Sequence, residues 1–539
     1  MTTHRNARSR SAILRVTAVL SLFVGLLPVL VGVSGAATHR TAPPATSLGT
    51  NGVVSRAMVA ENARPGTTAW KIAGTPPTGM IEGFANTTDA TPGQSVTFYV
   101  SSTASRFRLQ AFRMGYYKAT GARLVWQSKP TAAITQAACG FTPGVNMTSC
   151  ANWKSSLTVR LTKAFVPGDY LFKLVGASNE QSYVPLTLSV PTSHSSYLAI
   201  SRSLTEAGWN TFGGYSFYQG LGTCAPTYPV CNRARMASFD RPFDSGNGAS
   251  DFLSNEYPLV RFMESKGLDV SYVSDVELTM HPSLMANHHA ILSLGHDETW
   301  TYPERRGVVT AMAKGVNIVY FGAAAVLRHA RLASSALGSS RVVVDYRDPT
   351  EDPLLGHGPS ELVTGNTFSS PPTNLSPTPL TGEVYSGYMD PGSAPLPMVV
   401  WASKSWLFAR TGLKRGAQIP GVIDSDIDHV DAALSPSNLQ VLAHSPVPLK
   451  ETYTNQGAWN GFTYADTTYF SDPTSKAGVF DAGTVNWINA MSECTSASMC
   501  PAPTMRVLTG NLLHLFGPGP AGMVSPSTGN THEIRPAGS

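Results

Sequence analysis

The sequence has little charge and no large excess of one sign. Its 539 residues include 34 acidic and 39 basic ones, which together make up 14% of the chain. Four of the basic residues are arginines within residues 1–15, a stretch without an acidic residue, so the net charge of +5 falls to +1 beyond it. A nearly neutral chain offers no basic face for a nucleic acid, and we expect no such partner.

Several catalytic motifs are also missing. The chain has no G-x-S-x-G elbow, no H-E-x-x-H pair, no P-loop and no dinucleotide-binding glycine fingerprint. Their absence argues against a serine hydrolase of the elbow type, a zinc protease of the zincin type and a nucleotide hydrolase. Internal repeats and heptads are not visible either.

A long apolar run occurs only near the start of the chain. Residues 1–15 are positively charged, residues 16–33 are apolar apart from small residues and Pro28, and Ser34-Gly35-Ala36-Ala37 supplies the small side chains of a cleavage site. This pattern predicts a signal peptide over 1–37 and a secreted protein, extracellular or at the cell surface, with no membrane span once the signal is removed. An uncleaved anchor is the alternative, because 18 apolar residues approach the length that spans a bilayer.

Cysteine is scarce, and its six copies fall into three close pairs. In an oxidising compartment, local pairing is the natural connectivity. No pair has the C-x-x-C spacing of a zinc knuckle. The predicted disulfides are Cys139–Cys150, Cys224–Cys231 and Cys494–Cys500.

The pattern of the chain changes near residue 190. Residues 38–80 are predicted to be a flexible lead-in. Residues 81–190 carry short alternating runs at 95–100, 107–112, 157–161 and 170–174, with Pro-Gly turns before two of them, which predicts an Ig-like β-sandwich.

Residues 191–520 alternate strand and helix patterns, which predicts an α/β domain with a mainly parallel sheet. Predicted strands lie at 196–201, 268–274, 289–294, 316–321, 398–408 and 440–443, and predicted helices at 256–267, 303–314 and 505–516. A capping box formed by Thr301 and Glu304 supports the second helix. Residues 348–397 are predicted to be an irregular excursion, and residues 521–539 a disordered tail.

The sequence Gly295-His296-Asp297-Glu298 follows one of these strands and precedes a helix. In an open parallel sheet, ligands bind beyond the carboxyl ends of the strands. This placement predicts a functional site at His296, Asp297 and Glu298. The alternative is structural, since acids near a helix N-terminus are also favoured by the helix dipole.

Eight segments between residues 196 and 516 resemble the large (beta) subunit of N,N-dimethylformamidase and its secreted relatives. They are 208–218 (GWNTFGGYSFY), 238–242 (SFDRP), 272–278 (YVSDVEL), 295–298 (GHDE), 321–323 (FGA), 406–413 (WLFARTGL), 444–447 (HSPV) and 479–487 (VFDAGTVNW). The resemblance implies a β-sandwich ahead of a glutamine-amidotransferase-like α/β domain, and hydrolysis of an amide-like C–N bond.

The resemblance also implies a mononuclear iron site built from two tyrosines and a glutamate, with a histidine nearby. Glu298 matches the glutamate, His296 the histidine and Tyr218 one tyrosine, so the metal ligands that the resemblance implies are Tyr218 and Glu298. The second tyrosine position falls on Trp209, whose indole N–H cannot ligate iron. Further departures are Thr299, Ala324, Leu327-Arg328 and Asp426, which stand where Tyr, Asn, an aromatic pair and Glu are expected.

Other side chains complete the predicted site. A proton can be moved by His296, Glu298, Asp240 or Asp275, which are the candidate catalytic residues. The candidate substrate contacts are Trp209, Tyr215, Arg241 and Trp300. For Tyr215 the alternative is packing in a Gly-Gly turn, and for Asp240 and Arg241 a structural ion pair.

Two functions follow from these patterns. The first is a secreted hydrolase of an amide-like C–N bond, with one iron ion as the possible cofactor. The second is an extracellular binding or cell-surface protein that keeps the fold without the chemistry. In both cases the expected partner is a small-molecule or cell-envelope ligand.

Overall fold

The first described segment is ordered by contacts with the rest of the chain. The computed structural model describes residues 45–72, 79–222, 232–452, 461–494 and 500–534. The hairpin of β1 (Thr46–Gly49) and β2 (Gly52–Ser55) leads into α1 (Arg56–Asn62). Val53 is buried in the main core, and its amide donates to the Tyr197 hydroxyl at 3.0 Å. The described residues from 45 onward are therefore folded against the rest of the chain, in contrast to the flexible lead-in that the sequence predicts.

Residues 81–188 form two facing antiparallel sheets and a small hairpin. Their strands are β3 (Ile81–Ala85), β4 (Asp89–Ala90), β5 (Ser95–Ser102), β6 (Arg106–Met114), β7 (Ala122–Gln127), β8 (Thr131–Ala132), β9 (Gly140–Thr142), β10 (Met147–Ser149), β11 (Leu157–Arg160), β12 (Gly168–Gly176) and β13 (Gln181–Leu188). The sheet orders are β11-β5-β3 and β4-β13-β12-β6-β7, with β8 also paired to β6 and a single parallel pair between β4 and β13. The four strands predicted in this region are confirmed.

Alternation explains why these two sheets pack on each other. Inward residues such as Val96, Phe98, Leu109 and Phe172 form one buried cluster, and the rings of Phe98 and Phe172 lie 4.7 Å apart. The predicted Cys139–Cys150 disulfide is confirmed and closes the loop around β9 and β10. Cys494–Cys500 is also confirmed, whereas Cys224 and Cys231 lie outside the described residues.

The rest of the chain alternates short helices with strands. Its elements are β14 (Tyr197–Ser201), α2 (Ser203–Trp209), β15 (Met236–Ser238), α3 (Tyr257–Ser265), β16 (Val270–Ser274), α4 (Asp275–Met280), β17 (Ala290–Ser293), β18 (Thr299–Thr301), α5 (Tyr302–Ala313), β19 (Asn317–Tyr320), β20 (Arg328–Ser335), β21 (Gly338–Val344), α6 (Thr378–Thr381), β22 (Val384–Tyr388), β23 (Leu396–Val399), β24 (Gln418–Ile423), β25 (Asp426–His429), β26 (Gln440–Pro448), β27 (Phe462–Ser471), β28 (Gly478–Asp481) and α7 (Ala502–Phe516). The protein is therefore an α/β protein with a large share of strand.

A seven-stranded mixed sheet is the centre of this part. Its order is β16-β14-β17-β19-β28-β27-β26. The first five strands are parallel to one another, and β27 pairs antiparallel with both β28 and β26. The predicted strands at 196–201, 268–274, 289–294 and 316–321 are confirmed, as are the three predicted helices. The carboxyl ends of β14, β17, β19 and β28 therefore meet at one edge.

Smaller sheets cover this edge. One has the order β15-β21-β20-β18, and two two-stranded antiparallel sheets pair β22 with β25 and β23 with β24. The predicted strand at 398–408 ends early, because the chain turns between Ala402 and Ser405 and continues as a 3-10 helical turn at Trp406–Phe408. Residues 348–397 are mostly irregular, as predicted, but contain α6, β22 and the start of β23.

The described part of the C-terminal tail is attached to the sheet. Ala521 is buried and its amide donates to Asn317 Oδ1 at 2.9 Å, while Asn530 Oδ1 accepts from the Val441 amide at 2.7 Å. Residues 521–534 are therefore held to the sheet by hydrogen bonds, in contrast to the disorder that the sequence predicts. Residues from 45 onward form one compact unit, and the predicted domain boundaries remain predictions. None of the helices in the described ranges is long and apolar enough to cross a membrane.

A buried ion pair joins the β-sandwich sheets to α3. The Nη1 and Nη2 atoms of Arg113, on β6, each lie 2.8 Å from an oxygen of the Glu264 carboxylate, and both side chains are fully buried. Tyr272 and Asn62 donate to the same carboxylate, which brings β16 and α1 to it as well. Glu264 is therefore a junction of four elements.

We expect Glu264→Ala to destabilise the protein by about 3–5 kcal/mol, because it leaves the Arg113 charge buried without a partner. The matched control is Glu533→Ala, which breaks the half-exposed pair with Arg415 and should cost less than about 1 kcal/mol. Urea unfolding midpoints and Tm compare the two variants, and equal small effects would contradict the role given to Glu264.

Candidate functional site

The loop after β17 is held by a close backbone approach. Gly295 has a φ of +56°, a conformation that glycine adopts without strain. A β-carbon on Gly322, in the loop after β19, would lie 1.8 Å from the Gly295 carbonyl oxygen. The two loops therefore touch through backbone atoms, and this contact fixes the start of the segment 296–298.

Asp297 points into the protein and is bound by Arg202. The buried guanidinium of Arg202 forms ion pairs with Asp297, Glu304 and Asp275, at 3.3 Å for Glu304 and 3.9 Å for Asp275. Burial raises the pKa of Asp297 to about 6 and that of Asp275 to about 7, because the opposing charge of Arg202 is shared among three acids. Asp297 thus anchors the loop from beneath.

Glu298 points the other way, toward the stacked rings of Trp209 and Tyr218, and both of its carboxylate oxygens accept hydrogen bonds. Its Oε1 accepts from Arg328 Nε at 2.9 Å. Its Oε2 accepts from the Tyr218 hydroxyl and from Trp209 Nε1, the latter at 3.3 Å. The Arg347 guanidinium lies 4.1 Å from the centre of the Tyr218 ring.

These neighbours fix the ionisation of Glu298. Burial raises its pKa, but Arg328, His296, Arg347 and the Tyr218 hydrogen bond outweigh burial and lower the pKa to about 2. Burial and the Glu298 charge raise the pKa of the Tyr218 hydroxyl. At neutral pH the pair is therefore a carboxylate that accepts a hydrogen bond from a neutral phenol.

His296 lies between two carboxylates without a close hydrogen bond. Its Nε2 is 3.5 Å from Asp426 Oδ2 and 3.7 Å from Glu298 Oε2, and it is buried with no hydrogen-bond partner. Asp426, on β25, also accepts from the Tyr385 hydroxyl at 2.7 Å. Burial raises the pKa of Asp426 although His296 opposes the shift. His296 Nε2 is thus a free nitrogen beside two acids.

The rim of the site is aromatic and partly open to solvent. The rings of Trp209 and Tyr218 stack at 3.7 Å, and Trp209 is 41% exposed. A cavity of about 10 Å³ lies beneath Trp209 and His296, lined also by Thr205, Glu206 and Asn255. That volume and polar lining suit a single water molecule.

The other predicted site residues lie elsewhere. Asp240 is buried against Arg341 Nε at 2.8 Å and accepts from Ser335, so its ion pair is not with Arg241. Arg241 is buried and donates to the carbonyls of four residues of the 207–215 segment. Both residues therefore have contacts that hold loops.

Trp300, Asp275 and Tyr215 are also outside the centre formed by His296 and Glu298. Trp300 is fully buried and its indole donates to the Asp297 carbonyl at 3.0 Å, which leaves no surface for a substrate. Asp275 is buried and accepts from the Leu204 amide at 2.9 Å. Tyr215 packs on Phe141 and lines a separate cavity of about 600 Å³.

Sequence reasoning gives no site role to four residues that shape the site, although it identifies Arg328 as a departure from the family pattern. Arg202, Arg328, Arg347 and Tyr385 bring its positive charges and the donor to Asp426. Lone arginines and a tyrosine in an irregular segment give no spacing signal, so only the folded chain shows their partners.

A second acidic group lies deeper at the same edge of the sheet. Glu383, Asp428 and Asp481 are buried, and one carboxylate oxygen of each lies within 4.8 Å of the others. Within the described residues, a search for three or more histidine, cysteine, aspartate or glutamate side chains that could together hold a metal ion finds this group. We call it the acidic triad.

A family model described as "N,N-dimethylformamidase beta subunit-like, C-terminal" matches residues 108–500, which is well over half of the chain. The chain belongs to this family. A search of curated proteins finds no match. The match includes the loop 295–298 and every residue of the site described above.

Two of the predicted departures lie at the site. Arg328, which stands where part of an aromatic pair is expected, binds Glu298 through its guanidinium and adds positive charge. Ala324, which stands where an asparagine is expected, donates its backbone amide to both oxygens of Asp428 at 3.0 and 2.9 Å. Any residue other than proline can make this backbone contact, so it ties a loop of the site to the acidic triad independently of the departure.

The low pKa of Glu298 gives the stability of the protein a defined pH dependence. The folded-state pKa lies below the ordinary 4.5, so the stabilisation from the ionised carboxylate is complete above about pH 4.5. It is lost as the pH falls from there toward 2. We expect the Tm difference between wild type and Glu298→Gln to be largest near pH 7 and to narrow toward pH 3.

Thermal unfolding at pH 7, 5 and 3 measures this difference. Glu533→Gln, at a half-exposed position, serves as the control and should give a small difference at every pH. A difference for Glu298→Gln that stays constant or widens on acidification would contradict the assignment.

Proposed function

We propose that the protein is a secreted hydrolase of an amide-like C–N bond. Family membership supports hydrolysis, and one observation carries the site: His296 Nε2 is buried, free of hydrogen bonds and flanked by Asp426 and Glu298. A nitrogen placed in this way can accept a proton from a water molecule, and the flanking acids stabilise the resulting imidazolium.

The proposed reaction uses side chains of this chain. A water beside His296 loses a proton to Nε2 as its oxygen bonds to the carbonyl carbon of the substrate. The C–N bond then breaks, and the same proton passes from His296 to the departing nitrogen, which gives a carboxylic acid and an amine. Arg328 and Arg347 place positive charge near the oxygen that becomes negative in the intermediate.

Trp209 is the proposed substrate contact of this site. It is the exposed member of the aromatic rim, and stacking on Tyr218 leaves its outer face free for an apolar group of the substrate. Glu298 is already ionised and bound by Arg328, so we assign it a positioning role rather than proton transfer.

Amine release from a panel of formamides, acetamides and longer N-alkyl amides tests this function. We expect His296→Asn to lower kcat at least about 100-fold on an accepted substrate, which is the lower end of general-base catalysis. The matched control is His444→Asn, since His444 also pairs with a carboxylate, Asp466, at 2.6 Å but contacts Trp401 and Tyr464 instead of the site. Unchanged kcat in His296→Asn would rule out the mechanism.

The expected iron fits this donor set poorly. An iron of the family type would use oxygens of Tyr218 and Glu298, which are in hydrogen-bond contact. The second tyrosine position is Trp209, whose N–H donates to Glu298, and Arg328 and Arg347 oppose a further cation at the same pair. We therefore propose that the reaction at His296 proceeds without iron bound by Tyr218 and Glu298.

Elemental analysis of protein purified without added metal tests this proposal. We expect iron well below one per chain, and an equal amount in Glu298→Ala. One iron per chain that is lost in Glu298→Ala but kept in Asp481→Asn would contradict the proposal and place the metal at the predicted ligands.

The departure at Trp209 favours a second function. A protein that keeps the rim but lacks the chemistry would bind a small-molecule or cell-envelope ligand at Trp209. Its signature in the amide panel is saturable quenching of tryptophan fluorescence, lost in Trp209→Ala, without amine release from any substrate.

Three further features of the proposal concern location and architecture. Two disulfides and the signal-like segment 1–37, which lies outside the described residues, support secretion. The facing antiparallel sheets support an Ig-like domain at 81–190. The five parallel strands support an amidotransferase-like domain at 191–520.

A further inference from the structure

The acidic triad joins three separate segments. Glu383 directly precedes β22, Asp428 lies on β25, and Asp481 is the last residue of β28 in the mixed sheet. Their exposed fractions are 1%, 3% and 0%. Three carboxylates thus converge in the interior, where an unpaired charge is costly.

The hydrogen bonds of the triad leave two buried oxygens without a donor. Thr468 donates to Glu383 Oε1, the Gly483 amide to Asp481 Oδ1 at 3.1 Å, and the Ala324 amide to Asp428. Glu383 Oε2 and Asp481 Oδ2 are buried and accept no hydrogen bond. Buried polar atoms normally have a partner, so these two oxygens require either a shared proton or a bound species.

No charge of the described chain compensates the triad. Among the described residues, none of the three carboxylates forms an ion pair with lysine, arginine or histidine, in contrast to the group around Arg202. The carboxylates therefore need either protons or a cation.

We propose that Glu383, Asp428 and Asp481 bind one divalent cation, with Ca²⁺ the best fit. All available ligands are oxygens, which excludes sites that depend on nitrogen or sulfur donors. One oxygen of each carboxylate lies within 4.8 Å of the others, and carboxylates bind Ca²⁺ through one or both oxygens among the six to eight oxygens that it takes. The Thr468 hydroxyl is adjacent. Mg²⁺ dehydrates more reluctantly, so a site this deeply buried favours Ca²⁺.

Such a cation would be structural. It would tie the two-stranded sheet of β22 and β25 to β28, and this sheet carries Tyr385 and Asp426 of the candidate site. The Asp428 contact with Ala324 extends the same connection to the loop after β19. This inference stands apart from the proposed hydrolysis, since binding of the cation does not require that His296 be catalytic.

Metal analysis and thermal unfolding test the proposal. We expect about one Ca²⁺ per chain in protein purified with millimolar CaCl₂ and desalted. After EDTA treatment, the Tm should fall and then rise by about 2–5 °C when Ca²⁺ is restored, and by less with Mg²⁺. In Glu383→Gln and Asp481→Asn the Ca²⁺-dependent rise should disappear.

Asp240→Asn is the matched control, because Asp240 is equally buried but has Arg341 as its cationic partner. It should lower the Tm while the Ca²⁺-dependent rise remains. Two results would overturn the proposal: a Tm that none of Ca²⁺, Mg²⁺ or Mn²⁺ changes after EDTA treatment, or a Ca²⁺ response that survives in Glu383→Gln and Asp481→Asn alike. A higher Tm of those variants at pH 7 in the first case would indicate protonated carboxyl groups instead of a cation.

Discussion

The buried guanidinium of Arg202 holds the edge of the sheet on which the candidate site stands. It lies just after β14 and attracts Asp297 from the loop after β17, Glu304 from the first turn of α5 and Asp275 from the start of α4. Because Asp297 is drawn inward, its neighbours His296 and Glu298 face the opposite side. A buried ion pair is weak evidence for stability, but here the contact with Arg202 determines the direction in which the Asp297 side chain points.

Three groups of acids at this edge are compensated in three different ways. The single positive charge of Arg202 is shared among three carboxylates. Glu298 instead has two arginines nearby: Arg328 forms an ion pair with it, and Arg347 lies over the ring of Tyr218. The acidic triad has no positive partner among the described residues. The same fold therefore sets the pKa of Glu298 far below that of Asp297, one residue away, through the direction in which each side chain points.

The sequence predicted most of the central sheet, and it placed the candidate site in the loop after one of its strands. Short apolar runs such as 289–294 identify buried strands, and the Thr301 hydroxyl does cap α5 by accepting from the Glu304 amide. The sequence could not show which of three adjacent polar residues turns inward, since that depends on Arg202, about 95 positions earlier. The sequence also predicts that Trp300 contacts the substrate, because it cannot show that this side chain points inward from β18 into the core.

The close contact of Gly295 with Gly322 also limits how this protein can evolve. A β-carbon on Gly322 would meet the Gly295 carbonyl, and one on Gly295 would meet the Asn255 carbonyl oxygen at 2.4 Å, so neither position admits a side chain without moving the backbone. Variation is open at the rim, where Trp209 is exposed to solvent and Arg328 and Arg347 reach in from other segments. New specificities in such a chain would arise by exchanging rim residues over an unchanging base.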